Sequence, residues 1–308
     1  MSVDLSTSLG SLQLKAPTLT ASGCAAAGKE LAQFGDVSTL GAVVTKSIMV
    51  NPRSGRPTPR MAETPSGMLN SIGLQGPGIE QFIEKDLAWL TDHNVTTIVS
   101  IAGGTVAEFA QLAERLVDVP GIAALEVNIS CPNVESRGQV FACNHQSASD
   151  VISAVREKWT NDTPILAKLT PDVTDIVSIA QSVVDAGADG LSMINTLLGM
   201  VIDVDAMKPM LGGKTGGLSG PAIRPVAVRA VYQVHAALPD TPILGMGGIR
   251  TGHDALEFLA AGASAVSIGT VVFGDPSAPW RIARELGDEL ASRGYNSVRE
   301  VIGKAHQS

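Results

Sequence analysis

Residues 126–134, EVNISCPNV, alternate polar and apolar positions as a strand does and then break at a Cys-Pro-Asn corner. Glu126, Asn128 and Ser130 make one face of that strand polar, while Val127 and Ile129 supply the apolar face. A cysteine offered at the strand's end, Cys131, is a candidate reactive group, although such a residue taken alone is more often a small buried hydrophobe. Its ordinary pKa of about 8.5 lies within reach of proton-acceptor work where positive groups or hydrogen bonds favour the thiolate. An acylated nucleophile has less support. Of the five histidines, His145 alone falls in a loop after a predicted strand end, so no Cys-His pair presents itself.

Other polar groups stand at the ends of short apolar runs: Lys46 and Ser47 after AVVT, Ser100 after TTIV, Lys168 in ILAKLT, and Asn195 with Thr196 in SMINT. An ammonium within an apolar strand is costly unless it meets an acceptor or reaches water. Either lysine alone fits a snorkelling or salt-bridged side chain. Two of them at strand ends point to an anionic ligand or an electron-accepting ring. Residues 242–256, PILGMGGIRTGHDAL, read as strand, glycine corner and helix start, with Gly247 and Gly248 at the corner. Residues 264–273, SAVSIGTVVF, offer a second corner at Gly269 and Thr270. One such corner is an ordinary tight turn. Two in consecutive units, with backbone N–H groups free to face an anion, make a phosphate signal.

The elements that must position these groups follow a regular rhythm. Apolar runs at 19–22, 42–47, 96–102, 123–130, 164–170, 189–195, 242–248 and 265–272 have strand length. Between most of them lie amphipathic stretches of helical period at 79–92, 106–117, 148–159, 175–186, 223–238 and 253–261. That is the pattern of an α/β chain with about eight βα units, the (β/α)8 TIM barrel. A doubly wound open sheet would fit the same alternation, but no GxGxxG follows the first strand and the glycine corners come late, where barrels commonly hold phosphate. Residues 4–21, broken at Gly10 and Pro17, predict an N-terminal β-hairpin cap ahead of the first core strand. Long connections at 48–78, 132–147 and 196–221 exceed the usual two to six residues of a βα loop. All three leave carboxyl ends of predicted strands and so share one rim, the face where barrel chemistry sits. Nothing in composition divides the chain, so residues 1–308 are expected to be one domain.

Composition narrows the function. Aromatic residues make up 4% of the chain and the formal net charge is −8. Neither suits a stacking surface for nucleic acid or attraction to phosphate backbones and anionic membranes. Cys24, Cys131 and Cys143 have no metal-ligand spacing and make an odd count, so neither a zinc site nor a disulfide framework is expected and a cytoplasmic setting fits. The N-terminus lacks a secretory pattern. The longest uncharged stretch, 258–274, contains internal glycines and falls short of the ~20 apolar residues a membrane helix needs.

Several segments taken together resemble the class 1 dihydroorotate dehydrogenases, flavoproteins of pyrimidine synthesis. They are TKS at 45–47, PRSGRPTPR at 52–60, MLNSIGLQ at 68–75, VNISCPN at 127–133, AKLTPD at 167–172, INTLLGM at 194–200, KTGGLSGPAI at 214–223 and GMGGI at 245–249. The 52–60 loop and ESRGQVFACN at 135–144 look more like class 1B than 1A. Class 2 enzymes carry a membrane-associating N-terminal extension and a serine base, and this chain shows neither. The resemblance implies an FMN-binding barrel that oxidises dihydroorotate to orotate, with Cys131 taking a proton from substrate C5 while hydride leaves C6 for the flavin. By position it makes Lys46, Asn70, Ser71, Ile72, Gly73, Leu74, Asn128, Asn133, Asn195 and Thr196 substrate-binding. It likewise assigns to the cofactor Ser22, Lys46, Ser47, Ser100, Asn128, Lys168, Ile194, Gly220, Gly247, Gly248, Gly269 and Thr270. Lys46 would sit between substrate and flavin, Lys168 at the flavin N1/O2 edge, and the last four residues around the phosphate.

The same resemblance implies a homodimer, and for class 1B a heterotetramer with a partner subunit that carries FAD and a [2Fe–2S] cluster and passes electrons to NAD. Two alternatives stay open: a related flavin barrel acting on dihydropyrimidines, and a class 1A-like enzyme using fumarate. The chain departs from its relatives at Ser100, where an asparagine is usual, and at 21–30, which lacks an expected aromatic and carries Cys24.

Overall fold

The computed structural model describes residues 3–130 and 141–307. Eight parallel strands run Thr18–Thr20, Val43–Val44, Thr97–Ile101, Ala124–Asn128, Ile165–Leu169, Gly190–Met193, Ile243–Met246 and Ala265–Ile268, one in each apolar run expected from the sequence. We refer to them as the first to eighth barrel strands. From the second strand to the eighth each pairs with the next in chain order, and the eighth pairs with the first. The first and second strands meet across the remaining seam, where Gly41 N donates to Thr18 O (2.9 Å) and Val44 N to Thr20 Oγ1 (2.9 Å). The result is the expected (β/α)8 barrel.

Side-chain alternation along the strands separates two environments. On the fourth and fifth strands, Leu125, Val127, Ile165, Ala167 and Leu169 face outward into the apolar layer that also holds Phe109, Leu112, Ile152 and Val155 of the surrounding helices. Ala124 and Leu166 point inward and join Leu19, Val44, Ile98, Leu244 and Ala265 in a separate inner cluster. The hairpin Thr7–Leu9/Leu12–Leu14 closes that cluster by burying Leu9 and Leu14 against it, as the N-terminal pattern predicts.

Helices cover the barrel at Val106–Leu116, His145–Lys158, Ile176–Asp185, Arg224–Ala237 and Gly252–Ala260, and the 79–92 helix has a π-helical centre at Phe82–Leu87. The fourth-unit helix starts three residues earlier than its apolar period suggests, because Asn144 caps it by accepting from Ser147 N (3.0 Å). A further helix, Ala278–Ser292, was not among the sequence expectations; its buried stripe of Ile282, Leu286 and Leu290 at i, i+4 spacing is the signal that marks it. Among the described residues no helix is long and apolar enough to cross a membrane.

Two of the long connections contain strands of their own. Met61–Thr64 and Gly67–Asn70 from one pair with Leu197–Gly199 and Gly216–Ser219 from another, forming a four-stranded antiparallel sheet over the rim. Gly217 is required there, since a Cβ at that position would come within 2.0 Å of Thr196 Oγ1. Gly67 is equally constrained by Ser219 O, 2.1 Å from where its Cβ would stand. The glycines of this connection therefore let strands approach each other and the barrel top closely.

Candidate active site

The rim sheet and the barrel mouth enclose a cavity of about 1110 Å³. Of the site residues expected from the sequence, Ser22, Lys46, Ser47, Asn70, Ile72, Gly73, Leu74, Asn128, Lys168, Ile194, Asn195 and Thr196 line it. So do Gly220, Gly247, Gly248, Gly269 and Thr270. Ser71 and Ser100 do not; both are fully buried behind the wall. Cys131 and Asn133 lie outside the described residues, as does most of the 132–147 connection.

Inward-facing positions near the carboxyl ends of the strands are polar, and they are tied into one chain of hydrogen bonds. Lys168 is 3% exposed; its Nζ donates to Ser22 Oγ (2.8 Å) and lies 3.4 Å from Glu126 Oε1. Ser100 Oγ donates to the same carboxyl oxygen (2.9 Å) and shares a hydrogen bond with Ser47 Oγ (2.8 Å). Asn128 Nδ2 donates to Ser47 Oγ (3.0 Å), and Asn128 Oδ1 accepts from Ser130 Oγ (3.2 Å). Asn195 Nδ2 in turn donates to Ser130 Oγ (2.7 Å), and its Oδ1 accepts from Thr196 N (2.8 Å). Six barrel units thus fix one another's polar side chains, which holds the cavity wall in a defined geometry before any ligand arrives. Ser100 joins this chain as a short donor that reaches the carboxyl of Glu126. Glu126 and Ser130 were legible as part of the polar strand face, yet nothing local to them marked their partners across the barrel.

At the opposite end, Gly247 and Gly248 have φ of 134° and 79°, and Gly220 has φ of 87°. These backbone conformations favour glycine. The Gly247–Gly248 corner is braced by Asp254, whose Oδ2 accepts from Arg250 N (2.8 Å) and Thr251 N (3.1 Å), and by the Arg224–Asp254 ion pair. Thr251 and Asp254 complete a capping box at the start of Gly252–Ala260. Arg250 and Arg281, neither marked by the sequence reading, also line this end. Arg281 is held by Asp275 (2.8 Å) and Glu285 (2.7 Å). Cys24 lines the cavity too; burial pushes its thiol up to about 11, with the opposing fields of Lys168 and Lys46 only partly offsetting this.

The donor set suits a ligand with a phosphate at one end and an electron-accepting ring at the other. Two glycine corners line the cavity together with two ammonium groups and the three asparagine amides of Asn70, Asn128 and Asn195. In that arrangement the glycine end can bind an anion through backbone amides, and the Lys168 end can stabilise negative charge that develops on a ring.

Comparison with known proteins agrees with this geometry. The family model described as Dihydroorotate dehydrogenase matches residues 4–290. A protein of Desulforudis audaxviator named dihydroorotate dehydrogenase B (NAD(+)), catalytic subunit, is 49% identical over 308 residues, covering 100% of this chain and 99% of its own. Proteins of the same name from Geotalea uraniireducens and Anoxybacillus flavithermus are 49% and 48% identical. They cover 97% and 98% of this chain, and 97% and 96% of their own lengths. On the full-length match, the barrel and the polar rim, the chain belongs to the dihydroorotate dehydrogenase family.

Proposed function

We propose that this protein is the FMN-binding catalytic subunit of a class 1B dihydroorotate dehydrogenase and oxidises dihydroorotate to orotate in pyrimidine biosynthesis. The observation that carries the reading is the hydrogen-bonded chain from Ser22 through Lys168, Glu126, Ser100, Ser47 and Asn128 to Asn195, set along a cavity whose other end carries the glycine corners. FMN bound there supplies the hydride acceptor. Gly247, Gly248, Gly269 and Thr270 hold its phosphate, with Ser22, Ser47, Ile194 and Gly220 as further contacts. Lys168 places positive charge beside the ring edge that becomes electron-rich. Asn70, Asn128, Asn195, Thr196 and Lys46, with Asn133 and the 71–74 segment, hold the substrate's amides and carboxylate. Cys131 accepts the C5 proton, so that the cysteine takes the proton and leaves the electrons to the cofactor.

The purified protein should be yellow, carry FMN near equimolar content and bleach when dihydroorotate is added without oxygen. A colourless protein that FMN does not reconstitute would sink the reading, and faster bleaching by dihydrouracil than by dihydroorotate would move it to dihydropyrimidines. The relatives' shared name, a catalytic subunit acting with NAD(+), supports a second subunit carrying FAD and a [2Fe–2S] cluster. Co-purification of such a subunit, with NAD reduction depending on it, tests that part; fumarate reduction by the isolated chain would replace it. A homodimer is supported by the exposed apolar row Leu198, Met200, Ile202, Val204 and Met207 on the rim connection, the last 82% exposed.

A further inference from the structure

Glu126 is fully buried inside the barrel and does not line the cavity. Its Oε1 accepts from Ser100 Oγ (2.9 Å) and faces Lys168 Nζ (3.4 Å), while its Oε2 is buried with no hydrogen-bond partner among the described residues. Lys168 is strung between this carboxyl and Ser22 Oγ, a cavity-lining hydroxyl 2.8 Å away. The ammonium is therefore held from behind by an anion and presented in front to the ligand. Stability does not explain such a pair, since replacing a buried ion pair by apolar residues of similar volume is often neutral or stabilising. A carboxyl left with one oxygen unsatisfied adds to the cost of keeping it.

We propose that Glu126 is a positioning residue for the oxidation: it fixes the Lys168 ammonium at the cavity wall and offsets part of its charge, which sets how strongly the site favours a reduced, anionic ring. The inference rests on the FMN reading above and deepens it. Because Glu126 does not touch the cavity, its influence on the ring passes through Lys168. Ser100 belongs to the same device, since its hydroxyl aims the carboxyl at the lysine.

The test is the flavin midpoint potential and sulfite affinity of the wild-type holoenzyme, Glu126→Gln, and the double variant Glu126→Gln/Lys168→Met, which removes the pair together. Sulfite adds to the flavin ring and binds more tightly as positive charge beside the ring grows. Glu126→Gln leaves the ammonium unbalanced, so its potential should rise above wild type and its sulfite dissociation constant should fall about tenfold, the order expected for one charge removed at an effective dielectric near 20. The double variant should lower the potential below wild type and raise the sulfite dissociation constant above it. If Glu126→Gln fails to fold, Glu126→Asp, which keeps the charge but withdraws the carboxyl from Lys168, takes its place and should move both readouts in the same direction by a smaller factor. Unmoved readouts in Glu126→Gln, or failure of both variants to fold, overturn it. A wild-type protein that holds no FMN brings down the functional reading and this inference together; a flavin-loaded wild type with an unmoved Glu126→Gln brings down this inference alone.

Discussion

The two ends of the barrel interior are built from the same strands and differ completely in chemistry. Toward the amino ends, Leu19, Ile98, Ala124, Leu166, Leu244 and Ala265 form an apolar plug sealed by Leu9 and Leu14 of the hairpin. Two residues further along, the same inward face carries Ser100, Glu126 and Lys168, and two further again on the fourth strand stands Asn128. A period of two makes this division cheap to encode: one strand contributes a packing residue and a chemical residue to the same face without disturbing the helices outside. The lower layer should therefore answer to mutation in stability, and the upper layer in turnover.

Cys131→Ser tests the upper layer hardest. At neutral pH turnover with dihydroorotate should fall by on the order of 10²–10⁴-fold, because a serine hydroxyl is a far weaker proton acceptor. The residual rate should climb as pH rises, with flavin content unchanged. Steady-state and anaerobic stopped-flow rates across pH decide it, and an unaltered rate removes Cys131 from its assigned role.

Leu166→Ala tests the lower layer. Truncating a fully buried inward side chain should cost about 2–5 kcal/mol by denaturant unfolding. The folded fraction should keep its turnover per bound flavin. Loss of turnover with retained stability would break the division between the two layers.

The division was legible in outline from the sequence alone, and its limits are physical. Every barrel strand could be placed because apolar runs of strand length alternate with helical periods, a signal carried by neighbouring residues. The rim sheet could not: its strands are three to four residues long, rich in glycine, and pair segments far apart in the chain, so no local period records them. The same limit applies within the site. Lys168 and Glu126 were each visible as polar residues in apolar strands, but their pairing depends on the register that sets Asn128 opposite Lys168 and Glu126 opposite Leu166. Register is a property of the sheet. Most described residues that the family motifs named line the cavity, while Ser71, contiguous with them in MLNSIGLQ, is buried and does not.

Cys24 offers a titration at the border of the two environments. Burial raises its pKa from 9.0 to about 11, so the folded state retains a proton that the unfolded state loses first. Its contribution to stability is complete below pH 9 and is lost as pH rises towards 11, by at most about 1.4 kcal/mol per pH unit. Part of the side chain remains open, which makes the loss smaller than that ceiling. Thermal melts of wild type and Cys24→Ala at pH 8 to 11 should converge as the pH rises; parallel curves would mean that the thiol titrates as it does in the unfolded chain.

Ser47→Ala is the smallest change and the most discriminating. Ser47 Oγ joins Ser100 to Asn128, so its removal opens the hydrogen-bonded chain at its middle and leaves the Asn128 amide without that acceptor. Its loss should cost about 1 kcal/mol of stability. If the upper layer is only a polar core, turnover should be unaffected once the protein is folded. If the chain aims Asn128 at the substrate, the Michaelis constant should rise several-fold and the maximal rate should fall with it, because a misaligned amide weakens both binding and reaction geometry. A stability loss without a kinetic one would leave the upper layer as packing and confine function to the residues that touch the ligand.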